Sequence, residues 1–243
     1  MEKFNWEQTI EKYDSDKAKK NKLPIYYDYY DITKDFKNVY EPAEDTFLLI
    51  DSILNDIDNE GLQKQNIVSI ELGIGNCLVS CCFLGKVKEK GIKIEKHLCI
   101  DINKDAIELG KRLIDNYKLS ENVIFLESDL FESIYKQHKF DVVIFNPPYV
   151  TTDEDEYKRG LFNKDIYASW AGGKKGSETI FKFVNQIKDY IKPDGVIYLL
   201  LSKENEYESI IEKITSLCEF DCEILMKRKA INEKLGVFKF YKK

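Results

Sequence analysis

From residue 66 the chain alternates short apolar runs rich in β-branched residues with longer segments whose apolar residues recur at helical spacing. This rhythm constrains the fold more than any other feature. It predicts strands over 66–72, 96–101, 122–127, 140–145 and 196–201, and helices over 77–90, 104–117, 177–191 and 205–217. Helices placed between strands are the crossovers that parallel strands require, so the sheet is read as mainly parallel with helices on both faces. Two further strands, near 220–227 and 236–241, have no helix between them, and the last is expected to run antiparallel. Lys192-Pro193-Asp194-Gly195 is read as a turn that ends the preceding helix. One α/β domain over 41–243 accounts for these seven strands. It opens with a helix marked by Phe47, Ile50, Ile53, Leu54 and Ile57. Residues 1–40, rich in Lys, Asp and Tyr with little regular pattern, are read as an N-terminal arm packing over the core.

Composition removes several function classes. No run of about eighteen apolar residues is present to span a bilayer. The N-terminal stretch has no apolar core of signal-peptide length, which makes cytoplasm or nucleus the default compartment. The six cysteines (Cys77, Cys81, Cys82, Cys99, Cys218, Cys222) form no C-x-x-C pair and only two histidines accompany them. No metal site is expected, and the thiols are read as reduced core residues. A net charge of −6 argues against a protein that grips nucleic acid unaided, although it leaves room for a basic groove.

Asn146-Pro147-Pro148-Tyr149-Val150 follows the apolar run Phe140 to Phe145. Two consecutive prolines cannot prolong a strand, because neither donates an N–H and both fix φ. The chain must leave the sheet there, with the Asn146 carboxamide at the strand's carboxyl end and the Tyr149 ring beyond it. In open α/β sheets that edge is where ligands bind. An Asn oxygen and rigid backbone carbonyls suit a planar –NH₂ group, and a Tyr ring can cover its π face. The bland alternative is a cis-proline turn after a strand.

Three other strand ends carry chemistry. Glu71-Leu72-Gly73-Ile74-Gly75-Asn76-Cys77 closes the first strand; its two glycines permit a tight turn and close ligand approach, while Glu71 disfavours a pyrophosphate. Asp101 ends the second strand, where a carboxylate can accept from both hydroxyls of a ribose. It reads otherwise as a helix N-cap, a role that Asn103 can also fill. Ser128-Asp129-Leu130 ends the third; Asp129 serves equally as an acceptor for an adenine amine beside Leu130 or as a surface-turn acid. Together these residues describe an adenosine with a cationic tail beside an amide grip, which S-adenosylmethionine fits.

In order, Glu71-x-Gly73-x-Gly75, Asp101, Asp129 and Asn146-Pro-Pro-Tyr149 resemble the motifs of class I S-adenosylmethionine-dependent methyltransferases of the amino-methylating group. Val39-Tyr40-Glu41-Pro42-Ala43-Glu44-Asp45-Thr46-Phe47-Leu48-Leu49 and Ser169-Trp170-Ala171-Gly172-Gly173-Lys174-Lys175-Gly176 resemble the eukaryotic and archaeal branch of the HemK-like glutamine methyltransferases. The resemblance covers roughly residues 39 to 243 and implies a Rossmann-like sheet. It implies that Thr46, Glu71, Gly73, Gly75, Asp101, Asp129, Leu130 and Asn146 hold the cofactor, released as S-adenosylhomocysteine. It also implies that Asn146, Pro147, Pro148, Tyr149 and Val150 bind the substrate, with Asn146, Pro147 and Tyr149 catalytic. The family's substrate is the Gln of the Gly-Gly-Gln motif in the translation termination factor, and its partner is a small zinc-binding activator subunit. Asn122-Val123-Ile124-Phe125-Leu126 reads either as a partly exposed strand for that activator or as core. Cys77 stands where the family has a third glycine, a departure that bears on the local backbone.

The chemistry expected of such a site is positioning and electrostatics. The Asn146 oxygen and the Pro147 carbonyl accept the two amide N–H groups, and Tyr149 packs on the amide plane. An adenine-N6 methyltransferase of DNA or RNA would use the same grip, and a lysine of a protein is a third acceptor. A nucleic-acid enzyme would need a recognition module and a basic footprint, which this sequence does not display.

Overall fold

The structure of the protein is a computed structural model, and it describes residues 29–230 and 233–242. Seven strands form one sheet in the order β3-β2-β1-β4-β5-β7-β6. They are β1 (Asn66–Leu72), β2 (Lys93–Asp101), β3 (Val123–Glu127), β4 (Phe140–Phe145), β5 (Ile191–Ser202), β6 (Asp221–Ala230) and β7 (Glu233–Tyr241). The first five are mutually parallel, and β7 lies antiparallel between β5 and β6. The helices are α1 (Ile32–Asp35), α2 (Glu44–Asp58), α3 (Leu78–Glu89), α4 (Lys104–Asn116), α5 (Glu154–Asn163), α6 (Glu178–Ile187) and α7 (Tyr207–Cys218). No helix among the described residues is long and apolar enough to cross a membrane.

The sheet is sandwiched because its strands are apolar on both faces. Along β4, Val142 and Ile144 join the cluster formed with α2, α3 and α4. Val143 and Phe145 join the opposite cluster, formed with α6 and α7. This is the two-residue side-chain period of a strand buried on both sides. Each fully buried Ile, Leu, Val or Phe contributes about 1.5–3 kcal/mol of transfer free energy. Leu48, Leu49, Ile50, Ile53 and Leu54, all nearly inaccessible, therefore fasten α2 firmly to the sheet. Successive strands run outward in opposite directions from β1 and β4, which makes the carboxyl ends of that pair the topological switch point.

Several expectations change at this level. The Lys192–Gly195 turn does not end a helix; α6 stops at Ile187 and those residues lie within β5. The register advances from Phe140↔Ile191 to Val142↔Val196, so Pro and Gly are absorbed as an irregularity in the strand. Helix α3 begins at Leu78 rather than at 77, because Cys77 lies at φ 62° in the left-handed region. The glycine conformation thus persists at Cys77 despite its Cβ. Strand β3 is an edge strand of the described sheet. Ile124 is exposed while Val123, Phe125 and Leu126 are half-buried against the two core clusters, so the run is partly open and partly core.

Residues 1–28 of the expected arm lie outside the described residues. Residues 29–40 pack against the glycine loop and the start of α4. The Tyr30 hydroxyl donates to the Asn76 carbonyl (2.8 Å), Asn76 Nδ2 to the Tyr40 carbonyl (3.1 Å) and Asn103 Nδ2 to the Asn38 carbonyl (2.7 Å).

Candidate active site

A cavity of about 1050 Å³, counted out to its open mouth, sits at the switch point. Thr46, Glu71, Gly73, Gly75, Asp101, Asp129, Leu130, Asn146 and Pro148 all line it. The sequence separates these residues by up to a hundred positions; parallel strands bring their carboxyl ends to one edge.

The half of the cavity over β1, β2 and β3 is built from strand ends and the loops directly following them. Gly73 and Gly75 both adopt positive φ, and Gly75 has open space where a Cβ would stand. The backbone there is accessible to a ligand. Asp101 is buried, and its two oxygens accept from the Gly75 N–H (2.9 Å) and the Asn103 N–H (2.8 Å). Asn103 is the N-cap of α4, accepting from the Asp105 N–H. Asp101 is therefore not the cap but a brace for the glycine loop, and each oxygen keeps lone-pair capacity. Burial pushes its carboxyl above the ordinary range, against the pull of the backbone donors. Burial raises Glu71 further, with the bonded Ser80 hydroxyl opposing the shift. A buried carboxylate without a cation is costly, which suits a site for a ligand's positive charge. Asp129 Oδ2 is paired with Lys182 Nζ at 2.6 Å, so it is not a free turn acid.

The other half is built around the β4 terminus. No cis peptide occurs among the described residues, and the double proline simply turns the chain out of the sheet. Asn146 Nδ2 donates to Asp45 Oδ2 at 3.1 Å, across 101 residues of sequence. Only the amide nitrogen can donate, so this bond fixes which way the carboxamide faces. Asp45 Oδ1 accepts from the Thr46 N–H, which locks the carboxylate in turn. Asn146 Oδ1 is left buried with no hydrogen-bond partner among the described residues. Such an atom costs free energy unless something donates to it.

Pro147, Tyr149 and Val150 do not line the cavity itself. Pro147 is buried between the lining residues Asn146 and Pro148, and Tyr149 is half-buried between the two core clusters. Val150 forms an isolated parallel bridge with Ala171. Its N–H donates to the Trp170 carbonyl and its carbonyl accepts from the Gly172 N–H.

Comparison with known proteins decides the family. The chain is 33% identical over 217 residues to the eRF1 methyltransferase catalytic subunit mtq2 of Schizosaccharomyces pombe, an alignment covering 86% of this chain and 91% of the relative. The chain belongs to the class I methyltransferases, in their HemK-like release-factor branch. Methyltransferase HEMK2 of Homo sapiens is 31% identical over 85% of this chain and 91% of its own length. The family model described as Eco57I restriction-modification methylase matches residues 51–225. Among solved structures, the E. cuniculi Mtq2-Trm112 complex, described as responsible for methylation of the eRF1 translation termination factor, superposes with a TM-score of 0.57. It is 25% identical and covers 84% of this chain and 99% of that one.

The cavity and its supports also include residues the sequence did not single out. Tyr157, Leu161 and Asp165 also line the cavity, beside Val39 and Tyr40 of the quoted stretch and the cap Asn103, and α5 carries Tyr157 and Leu161. Tyr157 and Leu161 stand four apart, a helical signal readable in the sequence beside the Asp153 N-cap. Asn205 gave no such signal. It is fully buried, and its Nδ2 donates to the Tyr149 and Gly176 carbonyls at 2.8 Å each. Gly176 must be glycine, since φ is +66° and a Cβ would stand 2.3 Å from the Tyr149 oxygen.

Proposed function

We propose that this enzyme methylates the side-chain amide of the glutamine in the Gly-Gly-Gln motif of the translation termination factor, with S-adenosylmethionine as methyl donor and a small activator subunit as partner. The observation that carries the acceptor chemistry is the buried, unpartnered Oδ1 of Asn146, held in place by Asp45. The residues around the cavity fit the donor. Asp101 and Asp129 offer acceptor capacity for a ribose and an adenine amine, Gly75 leaves the backbone open, and Glu71 offers a buried carboxylate to an ammonium. When bound, the donor supplies an electrophilic sulfonium methyl and departs as S-adenosylhomocysteine.

A glutamine amide nitrogen is a poor nucleophile because its lone pair is delocalised into the carbonyl. Asn146 Oδ1 accepts one N–H and the Pro147 carbonyl the other, which holds the nitrogen in one orientation and favours a localised lone pair. Asp45 keeps the Asn146 oxygen, and not its NH₂, turned to the acceptor. Tyr149 covers the amide plane. The positive charge that develops on nitrogen sits close to these oxygens, so the site acts by preorganised electrostatics. The proton leaves after transfer, and no strong base is required.

Strand β3, whose outer edge is unpaired among the described residues and whose Ile124 is exposed, offers the sheet edge to which the activator can add a strand. Zinc in that subunit belongs to the same proposal, as does a cytoplasmic location, with or without a nuclear pool. The family model named for a restriction-modification methylase supports nucleic acid as the second acceptor class, with the adenine amine the group this grip would fit. One experiment separates them: labelled-methyl transfer onto release factor, its Gln→Ala variant, and unmethylated DNA and RNA, with and without the activator. Label on wild-type release factor alone is expected; label on nucleic acid overturns the assignment.

A further inference from the structure

Tyr149 is held at both ends by parts of the chain far from it in sequence. At the backbone end, Asn205 donates to its carbonyl, and Asn205 is itself fixed because its Oδ1 accepts the Ser202 N–H at 3.1 Å. At the ring end, the phenol donates to Glu233 Oε2 at 3.2 Å, across 84 residues. Glu233 is the first residue of β7, opposite Ala230 of β6. The same hairpin is tied to α2: Arg228 donates to the Glu44 carbonyl at 3.2 Å and to Asp51 at 2.9 Å. Asp45, which orients Asn146, lies in that first turn of α2. The hairpin thus touches both supports of the acceptor grip, the Tyr149 ring and the turn that carries Asp45.

We propose that Glu233 is a positioning residue for the methyl acceptor: its carboxylate holds the Tyr149 ring at the angle that covers the substrate amide. This rests on the acceptor role proposed above for Tyr149. A phenol has two side-chain torsions, and the terminal one is broad, so packing alone leaves the ring angle loosely set. An acceptor on the hydroxyl narrows it, because the phenol donates along one direction to Glu233 Oε2 at 3.2 Å. Burial, together with the Asp45 and Glu233 carboxylates, pushes the phenol far above its ordinary pKa, so it remains an O–H donor at working pH. Glu233 does not line the cavity, so its effect reaches the acceptor without passing through the donor.

The test compares Glu233→Ala, Glu233→Gln, Tyr149→Phe and the Glu233→Ala/Tyr149→Phe pair, in complex with the activator. Expected for Glu233→Ala is a fall of about two- to tenfold in kcat/KM for a release-factor domain, the scale of one hydrogen bond. The S-adenosylhomocysteine dissociation constant is expected to stay unchanged. Glu233→Gln, which keeps an acceptor oxygen, restores most of the loss. The double variant is no worse than Tyr149→Phe alone, because both remove the same bond. Multiplicative losses, or an unchanged Glu233→Ala enzyme, overturn the proposal. A second readout needs no turnover: the Tyr149 ring signal in carbon-13 tyrosine-labelled protein, assigned from Tyr149→Phe, shifts in Glu233→Ala and returns in Glu233→Gln. Absence of methyl transfer by the wild type overturns the acceptor reading, while an unmoved ring signal overturns the role of Glu233.

Discussion

The two halves of the cavity are assembled by different means. The half over β1, β2 and β3 takes Glu71 and Asp101 from the last residues of their strands and Gly73, Gly75, Asp129 and Leu130 from the loops just after. It is braced mostly by near neighbours such as Asn103 and Ser80, with Lys182 the distant partner of Asp129. The half around Asn146 and Tyr149 is held by side chains 101, 56 and 84 residues away, namely Asp45, Asn205 and Glu233. A donor site built from short strand-end loops changes little when the rest of the fold changes. An acceptor site that depends on distant supports can be retuned by altering them. Such an arrangement would let one catalytic motif serve different acceptors on the same fold.

If the halves are separable, mutations should split cleanly between turnover and donor affinity. The largest expected effect is Asn146→Ala: kcat falls about 10²- to 10³-fold, as for other lost preorganised dipoles, while S-adenosylhomocysteine affinity by calorimetry changes little. Loss of both together would break the separation. Next is Asp101→Ala, which removes a charged acceptor and frees the glycine loop. Donor affinity should weaken about 10- to 100-fold, with kcat at saturating donor retained.

Glu71 sharpens the comparison through pH. Its carboxyl titrates higher in the folded chain than in the unfolded one, because burial disfavours the charged form. Its contribution to ligand-free stability is therefore full below the ordinary carboxylate pKa and declines as pH rises toward the folded value. Glu71→Gln should remove that decline, visible as a Tm that holds up better from acid to neutral pH, and should weaken donor binding. Parallel Tm curves for the two proteins would contradict it; Cys82, Cys99 and Asp101 are ionisable groups coupled to this carboxyl. The smallest effect is expected at Lys182, whose pair with Asp129 is partly exposed. Lys182→Met should cost about 0.2–1 kcal/mol of donor binding, a change of about 1.4- to fivefold.

Much of the architecture was legible because it rests on local pattern. The β1 and β4 boundaries and the helix over α4 follow from apolar periodicity, and the antiparallel β7 from the missing helix before it. The strand-end residues were legible because a parallel sheet leaves one edge for them. Lys192–Gly195 was misread, because turn-forming residues are also tolerated in a strand where the ladder is interrupted. Cys77 shows the opposite case: the loop imposes a left-handed backbone that the residue itself disfavours.

The sequence by itself determined a doubly covered parallel sheet, the edge on which the site lies, and the residue types able to hold a nucleoside and grip an amide. Those properties depend on period, on chain direction and on what a carboxylate, a glycine or a carboxamide can do. Only the tertiary structure decided which way Asn146 faces, that Asp101 braces the glycine loop, and that Tyr149 is anchored at carbonyl and phenol. Each of these is a hydrogen bond between groups brought together by packing, and its partner follows from the closed fold and not from neighbours in the chain.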